Sequence, residues 1–490
     1  MKYISTRGNY EKVNSAKAIT LGMVPNGGLF IPESIPKLNT EEMDKMINTS
    51  YQEITANIFN KFLTDFTNDE IEEVIKKAYN NVNFDDEDLT PIKKLNDNLY
   101  IMELWHGPTA AFKDMALQML PHLLIKSKEK LNAKEETVIL VATSGDTGKA
   151  ALEGFKNIEG IKIIVFYPEE GVSEVQKLQM NTTNGNNTYV VALKGNFDDC
   201  QTGVKNIFSD NEFKAKLDAE NIKLSSANSI NWGRLLPQIV YYFKAYFDLV
   251  KKGEIKKGEK INFSVPTGNF GNILAGYYAK RMGLPVNKFI CASNENKILT
   301  DFFETGIYDT KREFHKTMSP SMDILISSNL ERFLFEMTDK NSEKLNGWYD
   351  KLQKTGKFQI DEESLKKMKE IIIAGFCDEK ETLKTINETY NKYNYVLDTH
   401  TSVAVKVAND LKLGKIIVNS TASPYKFSTN VLKGLGEKMQ DEMKAVERIS
   451  EISKTEIHRA VEGIDKKEII HKRKTTQNEM KKVVLEILGK

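Results

Sequence analysis

The chain has 490 residues, too many for one ordinary hydrophobic core, and should divide into two or three packing units. Hydrophobic residues make up 40% and charged residues 28%, the balance of a globular rather than a disordered protein. A formal net charge of +1 gives no electrostatic reason to expect nucleic acid or a membrane as the main partner.

The opening MKYISTRGNY lacks the apolar stretch of a secretory signal, and no later run approaches the roughly 20 apolar residues of a membrane span. Cys200, Cys291 and Cys377 are scattered with no CxxC, so neither a disulfide framework nor a zinc site is indicated. A soluble, cytoplasmic protein without a metal is expected. Residues 1–85 have a helical, acidic, Asn-rich texture, and NFDDEDLTP (Asn83 to Pro91) reads as the boundary into a second region.

From about residue 137 strand and helix signals alternate. The run Thr137 to Ala142 leads through a glycine turn into a helix from Lys149 to Phe155. Ile161 to Phe166 precedes the helical VSEVQKLQM; Thr188 to Leu193 and Ile222 to Leu224 are further strands. Ile261 to Val265 leads into PTGNFGN, the helix ILAGYYAKRMG and the strand KFICAS. Residues 299–395 are helix-rich and charged and show no site. A helix from Thr401 to Leu411 then precedes the strand KIIV, and the basic run HKRK (His471 to Lys474) reads as a solvated loop. Buried-type strands separated by helices predict a mostly parallel sheet covered on both faces, with ligands at the strands' carboxyl ends.

Five segments carry chemistry. In HGPTAAFKD (His106 to Asp114), Lys113 follows a turn and small apolar residues. A lysine there loses solvation, its neutral amine becomes accessible, and it can attack a carbonyl and shuttle protons. In PTGNFGN (Pro266 to Asn272), two glycines with adjacent asparagines open a helix, where backbone N–H groups and the helix dipole suit an anion such as phosphate. TSGDTG (Thr143 to Gly148) is too short and lacks the Ser or Thr of a nucleotide P-loop. Its Thr143, Ser144 and Thr147 suit a small carboxylate instead. In SANSINWGR, Arg234 can fork an oxyanion with help from Asn228 and Ser229. In NSTASPYKF, Thr421 offers a hydroxyl at a strand end that could meet a heterocycle nitrogen. A lysine with two anion-cradling loops is the equipment for holding pyridoxal phosphate as a Schiff base.

Together these segments resemble the threonine synthases, fold-type II pyridoxal-phosphate enzymes, and in particular their long bacterial and fungal branch. The likeness extends from KYISTRG and GLFIPE through the motifs above, SPSMDILISSNLERFLFE, LDTHTSVA and STASPYKF to the closing VLEIL, and is loose only over about 335–390. The resemblance implies two three-layer α/β lobes around mostly parallel sheets and an N-terminal mainly helical domain. These divide as 1–85 and 86–490, with a smaller lobe at roughly 140–245, the larger lobe from the remainder, and a helix-rich elaboration at roughly 299–395. It implies pyridoxal 5'-phosphate on Lys113, a phosphate loop of Gly268, Asn269, Phe270, Gly271 and Asn272, and Thr421 at the pyridine nitrogen. Thr143, Ser144 and Thr147 fall where relatives hold the substrate carboxylate, and Asn228, Ser229 and Arg234 where they hold its phosphate. The implied reaction turns O-phospho-L-homoserine and water into L-threonine and phosphate, in a monomer or homodimer. The alternative is a threonine-synthase-like phospho-lyase that releases a keto acid. Asp146 departs from the shorter branch, which has Asn there, and its role stays open, as does that of His106.

Overall fold

The computed structural model describes residues 1–490. Its larger sheet has six strands in the order Ile372–Phe376, Val286–Ser293, Ile261–Pro266, Ile416–Ser420, Leu99–Glu103 and Ile92–Asn96. All neighbours pair in parallel except the last two, which form an antiparallel hairpin. A second sheet of five strands runs Arg473–Thr475, Thr188–Leu193, Ile161–Pro168, Glu136–Ala142 and Ile222–Ser225, parallel throughout.

The strand side chains show why these apolar runs form interior strands. Val138, Leu140, Ile164 and Phe166 enter one hydrophobic cluster, while Ile139, Val141, Ile163 and Val165 enter another on the opposite face. The larger sheet behaves alike: Tyr100, Met102, Phe289 and Cys291 face one cluster, and Leu99, Ile101, Ile290 and Ala292 the other. With period-2 side chains and both faces dry, alternation of polarity is lost and the strands read as continuous apolar runs.

The first 80 residues form four helices, Ser15–Leu21, Thr40–Met46, Tyr51–Phe62 and Asn68–Ala78, and a two-stranded ribbon of Tyr3–Ser5 with Phe30–Pro32. Asn39, Ser50 and Thr67 each close a capping box with a glutamate three residues on, satisfying first-turn N–H groups. This unit shares one hydrophobic core with the larger lobe. Trp232 is its junction, with ring centroids 5.4 Å from Tyr3, 5.5 Å from Phe62 and 5.6 Å from Tyr278.

The lobes divide differently from the sequence expectation. Helix Pro237–Lys251 buries Ile239, Val240 and Phe243 in the larger core, so the first stretch of the smaller lobe ends near Ser225. The smaller lobe regains chain at its far end, where Arg473–Thr475 joins the sheet edge and helix Met480–Leu488 packs over it. HKRK is therefore only half a solvated loop: Arg473 and Lys474 expose their side chains while their backbone lies in the ladder. Residues 299–395 contribute an edge strand, Ile372–Phe376, as well as helices. No helix is long and apolar enough to cross a membrane.

Met480 is 1% exposed and packs in the cluster that holds Cys200, Val204 and Ile207. Met480→Ala should cost about 2–5 kcal/mol by leaving a cavity. In urea titrations this loss should be larger than that from Lys482→Ala on the same helix.

Candidate active site

Lys113 begins the short helix Lys113–Leu117, and the segment before it is pinned by backbone pairing to the end of the strand Ile416–Ser420. Phe112 N–H donates to Thr421 O at 2.9 Å and Ser423 N–H to Ala110 O at 3.1 Å, which brings Thr421 beside the lysine's own segment. Ala110 adopts φ +60°, a left-handed conformation unusual outside glycine and frequent at functional sites. Asp114 closes the turn by accepting from Thr109 N–H at 2.8 Å and Thr109 Oγ at 2.7 Å. A Cβ at residue 107 would lie 2.4 Å from Asp114 Cβ, so only glycine fits there.

Lys113 Nζ is buried, 3.3 Å from Asp146 Oδ2 and 3.1 Å from Ser321 Oγ. Desolvation holds its pKa below the ordinary lysine value; Asp146 pulls it up, and the nearby Lys426 and Arg234 push it down. Asp146 is the first residue of helix Asp146–Phe155, and its carboxylate collects donors. Lys426 Nζ lies 2.6 Å from Oδ1, Gln176 Nε2 donates to Oδ1 at 2.9 Å and Ser321 Oγ to Oδ2 at 3.2 Å. Burial raises its pKa, but Lys426 and Lys113 outweigh burial and hold it well below the usual carboxylate range. Asp146 is thus an ionised acceptor and does not donate as an asparagine would. Lys426 is 0% exposed and also donates to Thr109 O at 3.0 Å.

The second loop follows the strand Ile261–Pro266. Gly268 has no space for a side chain, because a Cβ there would lie 2.6 Å from Ser321 O. Phe270 sits at φ +64° and leads into the helix Gly271–Met282. Asn269 O accepts from Asn329 N–H at 3.1 Å and Asn329 Nδ2 at 3.2 Å, and Ser327 Oγ donates to Gly268 O at 2.7 Å. Asn272 Oδ1 accepts from Tyr241 and Tyr242 hydroxyls and from Asn419 Nδ2, at 2.7, 2.8 and 3.0 Å. Asn272 Nδ2 is buried and has no acceptor in the chain.

The Thr143 hydroxyl accepts from Gly145 N–H at 3.0 Å and Gly148 N–H at 2.9 Å, so it shapes the first turn of its helix. Ser144 and Thr147 are half-buried on the same turn. Arg234 is 5% exposed and donates to Ala227 O at 2.5 Å. It forms no ion pair, and burial pushes its pKa down to about 10. Ser229 Oγ donates to Asn228 Oδ1 at 3.2 Å and accepts from Asn329 Nδ2 at 3.2 Å, so one asparagine links this loop to the Gly268–Asn272 loop.

Several residues of the site have no local sequence signal. Ser321 and Asn329 come from the region that showed no site, and Gln176 and Lys426 arrive from other elements. His400 Nε2 accepts from Ser321 N–H at 3.2 Å, and its Nδ1 faces Asp398 at 3.0 Å. Arg332, fully buried, donates to Phe30 O, Asn329 Oδ1 and Ile230 O at 2.9, 2.6 and 2.5 Å. For Ser321, Asn329, Arg332, His400 and Lys426 the only available signal was their presence in SPSMDILISSNLERFLFE, LDTHTSVA and STASPYKF, which carry the resemblance without assigning roles; Gln176 had none. His106 is structural here: it stacks on Trp105 with centroids 4.3 Å apart, between Asp85 at 2.7 Å and Glu103 at 3.0 Å.

Residues 2–79 match the family described as threonine synthase N terminus, and residues 85–347 match pyridoxal-phosphate dependent enzymes. Threonine synthase of Pseudomonas aeruginosa is 37% identical over 442 residues, covering 89% of this chain and 91% of that one. The chain belongs to the threonine synthase family. The crystal structure of threonine synthase from yeast superposes with a TM-score of 0.89 at 32% identity, covering 100% of this chain and 99% of that one. Human threonine synthase-like 1 is 41% identical over 453 residues, 88% of this chain, which spans 60% of that protein's length.

A threonine synthase fold is a fold-type II fold, and its cofactor is pyridoxal phosphate. The residues present fit that group. A buried lysine of lowered basicity can take up an aldehyde. A side-chain-free Gly268, the N-terminus of a 12-residue helix and an orphaned amide N–H at Asn272 suit a phosphate.

Asn272→Asp would place a carboxylate where an anion is expected. It should weaken cofactor retention at least roughly tenfold, about 1.4 kcal/mol, in equilibrium dialysis. His106 is held protonated: burial lowers its pKa, but Asp85 and Glu103 raise it from 6.5 to about 9. A raised folded-state pKa stabilises fully below the unfolded value and loses that contribution as pH rises through the folded value. Thermal denaturation should therefore show the parent chain losing stability relative to His106→Gln as pH rises from 6.5 through about 9.

Proposed function

We propose that this protein converts O-phospho-L-homoserine and water to L-threonine and inorganic phosphate, the last step of threonine biosynthesis. It is a pyridoxal-phosphate-dependent carbon–oxygen lyase, cytoplasmic, acting on a small molecule as a monomer or homodimer. The observation that carries the choice of a phosphorylated substrate is Arg234. It is a buried guanidinium with no carboxylate partner, within electrostatic reach of Lys113. A cation left uncompensated in a buried cleft is stabilised when an anion arrives.

On this reading Lys113 Nζ holds the cofactor, and Gly268, Asn269, Phe270, Gly271 and Asn272 surround its phosphate. The Thr421 hydroxyl serves its pyridine nitrogen. Bound there, the cofactor supplies an electron sink for carbanion chemistry. Thr143, Ser144 and Thr147 orient the substrate carboxylate, with Thr143 also holding the turn. Asn228, Ser229 and Arg234 hold the substrate phosphate. Lys113, its basicity lowered by burial, removes the substrate Cα proton, and Arg234 stabilises the charge that develops on the departing phosphate.

One observation favours keeping a second reading. Threonine synthase-like 1 proteins match at 42% identity, above the 37% of the Pseudomonas aeruginosa synthase. That reading is phosphate elimination with release of a keto acid and no threonine.

Incubation with O-phospho-L-homoserine, with threonine, 2-oxobutyrate and phosphate quantified together, separates the two. Equal threonine and phosphate are expected; phosphate with 2-oxobutyrate would assign the phospho-lyase. Arg234→Ala should lower kcat/KM for the phosphorylated substrate by roughly a hundredfold or more, with far less effect on an unphosphorylated amino acid. Equal losses on both would remove Arg234 from the phosphate site.

A further inference from the structure

Two buried lysines share one buried carboxylate in the cleft. Lys426 Nζ lies 2.6 Å from Asp146 Oδ1, whereas Lys113 Nζ lies 3.3 Å from Asp146 Oδ2. The second carboxylate nearby, Asp114, has both oxygens committed to Thr109. Gln176 and Ser321 complete the donors around Asp146. One carboxylate compensates one ammonium, and the shorter contact belongs to Lys426, whose remaining fixed partner is the carbonyl of Thr109.

We propose that Lys426 is a positioning residue that occupies the Asp146 carboxylate and thereby leaves Lys113 as a neutral amine. The two lysines compete for one counter-charge, and the geometry gives it to the residue that does no bond-making. This accounts for the carboxylate at position 146: an amide there would leave Lys426 buried without an anion, and an unpaired buried charge is strongly destabilising. The other groups facing this centre are the Arg234 guanidinium, which repels protonation of Lys113, and the His400 ring, which faces Asp146. Lys426 also acts electrostatically on Asp114 and His458.

The inference rests on Lys113 as the cofactor lysine but on no choice of substrate, so it is tested without substrate. Full-length protein cleared of cofactor is mixed with pyridoxal phosphate, and the absorbance of the lysine-bound form is followed at a series of pH values. The midpoint of the rate profile reports protonation of Lys113. Lys426→Met frees Asp146 to pair with Lys113 and should move the midpoint up by about one pH unit or more. Lys426→Arg keeps a competing cation and should leave the midpoint near the parent value.

The double variant Lys426→Met with Asp146→Asn removes the buried charge pair entirely, which tests the idea even if the single variant folds poorly. Its midpoint should return to the parent value or below. An unmoved midpoint in Lys426→Met, an equal shift in Lys426→Arg, or a double variant that stays high would each overturn the proposal. A Lys113→Ala chain that still forms the lysine-bound absorbance would instead unseat Lys113 itself. Threonine formation plays no part in any of these outcomes.

Discussion

Arg332 is the interaction on which the arrangement of the cleft depends. Its guanidinium is wholly buried, makes no ion pair, and spends its donors on three oxygens, two of them from distant stretches and one from the residue that starts its own helix. Phe30 belongs to the N-terminal ribbon and Ile230 to the Arg234 loop. Asn329 holds Asn269 O in the glycine loop. Removing such a group leaves several buried acceptors unsatisfied at once, which is why its effect exceeds that of one hydrogen bond. The neighbouring Glu331 reinforces the same joint by receiving Arg7 through two nitrogens, at 2.7 and 2.9 Å, and the Thr6 hydroxyl at 2.5 Å. The N-terminal unit is therefore part of the site's foundation rather than an appendage, and the shared hydrophobic core around Trp232 says the same in apolar terms.

Charge in the cleft follows a simple logic. Lys426 and Asp146 neutralise each other, and Arg234 remains uncompensated. Lys113 is driven toward its neutral form by burial. The result is a pocket with one poised amine and one unsatisfied cation, receptive to an electrophile that brings a negative charge with it. Backbone strain is concentrated in the same place. Ala110 and Phe270 are non-glycine residues at positive φ in the two loops that carry Lys113 and the glycine turn.

What was legible in the sequence is what depends on neighbours along the chain. Lys113 in its turn, the glycine loop ahead of Ile273, and the strand–helix alternation are local patterns, and each was readable from a short window. Ser321, Lys426, Gln176 and Arg332 were not, because their meaning lies in contacts with residues far away in sequence; Lys426 meets Asp146 only after the two lobes assemble. The strand Arg473–Thr475 escaped for another reason. It has three residues, two of them basic and solvent-facing, so no hydrophobic periodicity marks it. The hairpin Ile92–Asn96 with Leu99–Glu103 has a polar first strand at the sheet edge, which reads as loop when burial is unknown.

The smaller lobe draws its five strands from two stretches of chain, with four of the larger sheet's six strands encoded between them. On a ribosome, the face bearing Phe166, Leu193, Val204 and Ile207 therefore emerges long before Met480, Val483 and Val484, which cover it in the finished protein. Until then that face is an exposed hydrophobic surface, a natural client for chaperones and a hazard for aggregation. Closure of this lobe is accordingly a late event in biogenesis, and it makes the assembled cleft a report that residues 473–488 have been synthesised and docked.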